Sequence, residues 1–171
     1  MKIKNSLGLS CEFLLNGSLG SIQADPIRIN LKAATPFSKP GTNLYLRKRG
    51  NPIEFIPLLG PESNSLFQVA NDLFVCRGSW TDLDYTCVLQ LSSASLSWQW
   101  RVEVQNRSGH PVDLDLIYLQ DAGLKALNAG LLNEYYVSQY LERRILQDKI
   151  FGAVACCRKR FLRPGQTRPR I

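Results

Sequence analysis

The side chains that most often do chemistry are thinly spread through this sequence. One histidine is present, His110, beside Pro111. His-dependent triads and His-rich metal sites are therefore hard to build, and a solvated turn accounts for it. Five cysteines, Cys11, Cys76, Cys87, Cys156 and Cys157, include no CxxC spacing and are odd in number. That pattern fits reduced, buried thiols better than a disulfide framework. Gly17 and Gly20 fit neither a P-loop nor a dinucleotide fingerprint and read as turns. No metal site and no cofactor is expected. Among fourteen acidic residues, Asp113 and Asp115 are two apart, as are Asp82 and Asp84. On a strand each pair shares a face at roughly 7 Å. The separation suits paired acid and base work on a glycosidic bond, but a solvated polar face is the commoner reason for it.

Aromatic residues say more. Trp80, Trp98 and Trp100, with six tyrosines, could stack on sugar rings wherever they line an exposed groove. Trp98 and Trp100 fall on the apolar side of a strand pattern and are assigned to core packing. Trp80, placed in a turn between Ser79 and Thr81, is the surface candidate. The net charge of +7 raises the question of nucleic acid. Arg158, Lys159, Arg160, Arg163, Arg168 and Arg170 have no acidic residue among them, and without them the chain is close to neutral. The basicity thus belongs to residues 158–171, whose Arg/Pro composition is that of a disordered tail. Nucleic-acid binding through that tail is the disfavoured alternative. No apolar run is long enough to cross a membrane, and the N-terminus lacks the apolar stretch of a secretory signal, so a cytoplasmic location is expected.

The elements that must carry these residues are extended. In Ser97 to Asp121, Trp98, Trp100, Val102 and Val104 alternate with polar neighbours. Val112, Leu114, Leu116 and Tyr118 do the same after the turn residues Asn106 to Pro111. The pattern predicts one antiparallel hairpin with a buried and a solvated face. Leu83 to Leu91 places Leu83, Tyr85, Cys87, Leu89 and Leu91 on one face and precedes it through the turn Ser92 to Ser95. Upstream, Cys11 to Leu15 and Ser18 to Gln23 flank the tight-turn pair Asn16-Gly17. Ile27 to Leu31, Asn43 to Arg47 and Leu73 to Arg77 are further strands, and Lys149 to Cys156 is a last one. Ile53 to Gln68, with three prolines in or beside it, reads as a long surface connection. Residues 122–146 mix helical leucine spacing with β-favouring tyrosines and remain open on pattern alone. The sum is an all-β antiparallel β-sandwich over residues 1–157.

Several motifs in this order resemble the N-terminal β-sandwich of glycoside hydrolase family 94, the cellobiose phosphorylase and β-1,2-oligoglucan phosphorylase group. They are Asn43-Leu44-Tyr45-Leu46-Arg47, Pro57-Leu58-Leu59-Gly60-Pro61, Trp100-Arg101-Val102-Glu103-Val104 and Tyr118-Leu119-Gln120-Asp121-Ala122-Gly123-Leu124. The most specific is Asn133-Glu134-Tyr135-Tyr136-Val137-Ser138-Gln139-Tyr140. The resemblance covers roughly residues 10–157. It implies a sandwich of the galactose-mutarotase-like type, with Ala122 to Asn133 as a loop and Tyr135 to Ile145 as a strand. It also implies that further strands and a catalytic helical barrel lie beyond the part seen here, so that phosphorolysis is not expected of this chain alone. In its terms the chain is a non-catalytic, carbohydrate-associated module, the N-terminal part of a β-glucan phosphorylase. Gln120, Asp121, Asn133, Gln139 and Tyr140 are its candidate contacts to a β-glucan oligosaccharide. The alternative is a structural module without ligand that self-associates through unpaired sheet edges. After Cys157 the Arg/Pro composition departs from the family pattern.

Overall fold

The structure, a computed structural model, describes residues 1–70, 72–127 and 140–159. It is all-β. Fourteen strands are described: β1 (Lys2–Lys4), β2 (Leu9–Phe13), β3 (Leu19–Ala24), β4 (Ile27–Arg28), β5 (Asn43–Lys48), β6 (Glu54–Pro57) and β7 (Leu66–Ala70), then β8 (Leu73–Trp80), β9 (Leu83–Leu91), β10 (Trp98–Asn106), β11 (Leu114–Leu119), β12 (Lys125–Ala126), β13 (Leu141–Asp148) and β14 (Gly152–Lys159). They form a five-stranded sheet ordered β1-β2-β3-β4-β12, a four-stranded sheet β10-β9-β8-β7, a three-stranded sheet β11-β5-β6 and the ribbon β13-β14. Every pairing is antiparallel. No helix among the described residues is long and apolar enough to cross a membrane.

Local chemistry explains the first sheet. Asn16-Gly17 makes the expected tight turn between β2 and β3. Leu14 N donates to Ser18 O at 2.9 Å, and Gly17 takes φ 74°, where a side chain would be strained. The alternation expected over Ile27 to Leu31 gives only the two-residue β4. Beyond it the buried Asn30 side chain replaces the ladder, its Oδ1 accepting from Ile22 N at 2.9 Å and its Nδ2 donating to Gly20 O at 3.1 Å.

The core gathers residues from three sheets. Ile3, Leu9, Cys11, Phe13, Leu19 and Ile22 come from the first. Phe74, Cys76, Tyr85, Cys87 and Leu89 come from the second, and Leu44 and Leu46 from the third. Phe13 stacks on Phe74 with ring centroids 3.7 Å apart, which joins the first two sheets, and the Trp100 indole meets Phe74 edge-on at 6.2 Å. On β9 the inward face is the expected one, with Leu83, Tyr85, Cys87 and Leu89 buried.

Four expectations are corrected. Ser97 to Asp121 is not a hairpin. β10 pairs with β9 (Trp100 opposite Leu89), whereas β11 pairs with β5 (Leu116 opposite Leu46), so the chain changes sheet in the turn after Asn106. Both halves alternate in sequence, but each pairs with a strand elsewhere in the chain. Ile53 to Gln68 is not a plain surface connection. It contains β6 and the start of β7, with Pro57 closing the edge strand β6 and Pro61 in the turn beyond it, and Leu58 and Leu59 are fully buried. Trp80 is not in the turn but ends β8, opposite Leu83. Of the cysteines, all free, only Cys11, Cys76 and Cys87 are buried; Cys156 and Cys157 are exposed on β14.

The residues left open by pattern are partly settled. Leu141–Asp148 is a strand, in keeping with the extended alternative. Residues 128–139 and 160–171 lie outside the described residues, and with them most of the expected tail. Arg158 and Lys159 are the last two residues of β14.

Candidate functional site

The segment after β11 carries the first two predicted contact residues, Gln120 and Asp121, and the structure places both in one hydrogen-bonded corner. Asp121 Oδ1 accepts from the Thr42 hydroxyl at 3.0 Å and Oδ2 from Lys32 N at 2.8 Å. Gln120 Nε2 donates to Thr42 Oγ1 at 3.0 Å and to Asp121 O at 2.7 Å, and its Oε1 accepts from the Tyr118 hydroxyl. The corner can form because two glycines leave room. A Cβ on Gly41 would lie 2.6 Å from Asp121 Oδ2, and one on Gly123 would lie 2.8 Å from Leu31 Cα. Asp121 N also donates to Gly41 O at 3.0 Å and Gly123 N to Ile29 O at 2.7 Å, so residues 120–124 are pinned to residues 29–42.

Tyr118 links this corner to the tryptophans. The residue is 44% exposed. Burial of part of the phenol pushes its pKa up, opposed by the nearby indoles of Trp98 and Trp100. Trp100 Nε1 is buried and completes no hydrogen bond. Trp98 and Trp100 pack against the core, as their strand position predicts, but only partly. The result is a half-open aromatic and amide surface where the edges of two sheets meet.

Of the other predicted contacts, Tyr140 is half-buried in the turn that leads into β13. Asn133 and Gln139 lie outside the described residues. Thr42 and Lys32 were not singled out from sequence, and Tyr118 reads there as an apolar strand position and as part of a family motif rather than as a contact. Thr42 stands 79 residues from its carboxylate partner, and the only local hint was the Pro40-Gly41 corner.

The carboxylate pairs separate. Asp115, opposite Arg47 in the register, forms ion pairs with Arg47 and Arg49, the latter at 2.6 Å. Hydrogen bonds from Arg49 and then Arg47 hold its pKa down at about 2. Asp113 lies before the strand and is exposed. Asp84 pairs with Arg107 at 2.9 Å. A carboxylate held ionised between two guanidinium groups is a poor proton donor, so Asp115 does not serve as the acid of an acid and base couple. Trp80, the surface candidate, has Lys48 Nζ 4.5 Å from its ring centroid. The cation covers part of the face a sugar would stack on. Among the described residues no group of three or more His, Cys, Asp or Glu could hold a metal ion.

Residues 12–169 match the family described as the SOGP N-terminal domain. A curated relative, a 1,2-beta-oligoglucan phosphorylase from Listeria innocua serovar 6a (strain ATCC BAA-680 / CLIP 11262), is 28% identical over 140 residues. The alignment covers 81% of this chain and 12% of that enzyme, so the chain spans only a small part of its relative's length.

Proposed function

The chain belongs to the SOGP N-terminal domain family, and on that premise we propose that it is a non-catalytic, carbohydrate-associated module of a β-glucan phosphorylase. The observation that carries the reading is the family match across residues 12–169. In this reading phosphorolysis belongs to parts of such an enzyme that this chain does not span, and the β-sandwich contributes scaffold and one wall of a glucan site. Gln120, Asp121 and Tyr140 supply the wall, with Asn133 and Gln139. Amide and carboxylate groups beside aromatic rings suit the alternating hydroxyls and C–H faces of a pyranose. The Asp121 carboxylate is committed to Thr42 and Lys32 and holds the wall in place, while a sugar is met by the Tyr118 ring and by Gln120, whose amide exchanges one of its bonds within the corner for one to the sugar.

Titrating the ¹⁵N-labelled chain with β-1,2-gluco-oligosaccharides tests this. The side-chain amide of Gln120 and the backbone amides of residues 118–124 are expected to shift, and Gln120→Ala is expected to weaken that response about tenfold. Spectra unchanged at millimolar sugar would remove the binding part of the proposal.

The second reading, an assembly module, is favoured by the ribbon β13-β14. Ile145 (77% exposed), Leu146, Ile150 (84%) and Phe151 (79%) all face solvent on it. Large apolar side chains grouped in this way are surface that a second copy would cover.

A further inference from the structure

A second cleft lies at the end of the β9-β10 pair. Its volume is about 450 Å³, within the range of small-molecule sites. Gln90, Gln99, Ser92, Ser93, Ser97 and Trp98 line it, and no charged side chain does.

The rim of this cleft is fixed from two directions. Ser92 N donates to Ser97 O at 2.9 Å and closes the turn. The Ser92 hydroxyl accepts from Ala94 N at 3.1 Å and from Ser95 Oγ at 3.0 Å, while Ser95 and Ser97 hydroxyls meet at 2.7 Å. From the β1-β2 connection, Asn5 Nδ2 donates to Ser92 O at 2.7 Å and to Ser95 O at 3.1 Å. Asn5 is itself held, because its Oδ1 accepts from Leu7 N at 3.0 Å and Leu9 N at 2.9 Å. The turn therefore needs no ligand to take its shape.

Inside this frame, polar capacity is left over. Gln90 and Gln99 are directly opposed across the strand pair and so share a face. Two primary amides side by side offer four N–H donors and two carbonyl acceptors, with the Ser93 hydroxyl close by in sequence. A neutral lining that offers both donors and acceptors discriminates against ions and suits vicinal hydroxyls, each of which donates once and accepts up to twice. Trp98 and Leu91 also line the end of the cleft, although as sequence neighbours of the two glutamines they belong to the other, core-facing side of the strand pair.

We infer that the Gln90–Gln99 cleft binds a neutral saccharide through side-chain amides that the Gln120 corner does not use. The choice of a saccharide over other neutral polar molecules rests on the proposed carbohydrate function; the position and neutrality of the site do not.

The chain labelled with ¹⁵N, titrated with the β-1,2-linked disaccharide sophorose, separates the two sites. The side-chain amide signals of Gln90 and Gln99 are expected to move together and saturate. The double variant Gln90→Ala/Gln99→Ala should weaken that titration about tenfold, the loss of two modest hydrogen bonds, and leave any Gln120 response and the melting temperature unchanged. Because both glutamines are exposed, each single variant should also fold and give a smaller loss. Movement at Gln120 without movement at Gln90 and Gln99 would overturn the cleft and keep the proposed function. Movement at Gln90 and Gln99 alone would keep the cleft and remove the Gln120 wall. Equal shifts with glycerol in place of sophorose would overturn the cleft as a saccharide site.

Discussion

Asp115 shows how far a residue's role depends on partners remote in sequence. Two carboxylates two positions apart suggested a shared face, and the type of residue was informative. Its partners were not legible, because Arg47 stands 68 residues away and meets Asp115 only through the β5-β11 register. The arginines lower the carboxyl pKa to about 2 in the folded chain, against about 4 when unfolded. A depressed folded value stabilises the fold above the unfolded value, and that contribution is lost as pH falls from about 4 towards about 2. Urea unfolding at a series of pH values should therefore show stability falling through this window. Asp115→Asn should flatten the decline. An unchanged slope would mean that the ion pairs contribute nothing to folding. Gln120 was legible as a candidate from the family resemblance, but the Thr42 and Lys32 bonds that brace its neighbour Asp121 were not.

At the scale of elements, strands were far easier to read than their partners. β2, β3, β5, β8, β9 and β10 all fall where alternation and turn residues place them. The failure at Ser97 to Asp121 has a physical source: two amphipathic strands beside a turn satisfy the hairpin pattern, yet alternation specifies a buried face and not which strand lies alongside. Where a turn has strong local chemistry the pairing was legible, as at Asn16-Gly17. That turn is also closed by the rest of the molecule. A Cβ on Gly17 would lie 2.2 Å from Phe67 Cε1, and the residue's φ is 74°. Gly17→Ala should then cost more than about 1 kcal/mol, since strain and crowding act together. Chemical denaturation would measure it, and a loss near zero would show that the turn relaxes freely. Gly8, also at positive φ but with open space around its missing Cβ, is the natural control.

For the whole molecule, the all-β class and the single shared core could be argued from composition and alternation. Exposed apolar surface could not, because it depends on which faces the sheets leave uncovered. Leu116 is 52% exposed on β11, although its alternation resembles that of a buried position. β11 and β10 are both edge strands among the described residues, and the β13-β14 ribbon adds Ile150 and Phe151. Light scattering should show self-association that rises with concentration, and Ile150→Asp/Phe151→Asp should shift the equilibrium towards monomer without lowering the melting temperature. A wild-type chain that stays monomeric at high concentration would exclude the assembly reading. The placement of the thiols has a separate consequence. Cys156 and Cys157 are open to a reagent at once, whereas Cys11, Cys76 and Cys87 can be reached only when the core parts. Counting thiols modified over time therefore gives the chain a built-in clock for its own opening: two fast events report the surface, and three slow ones report how often the sheets come apart.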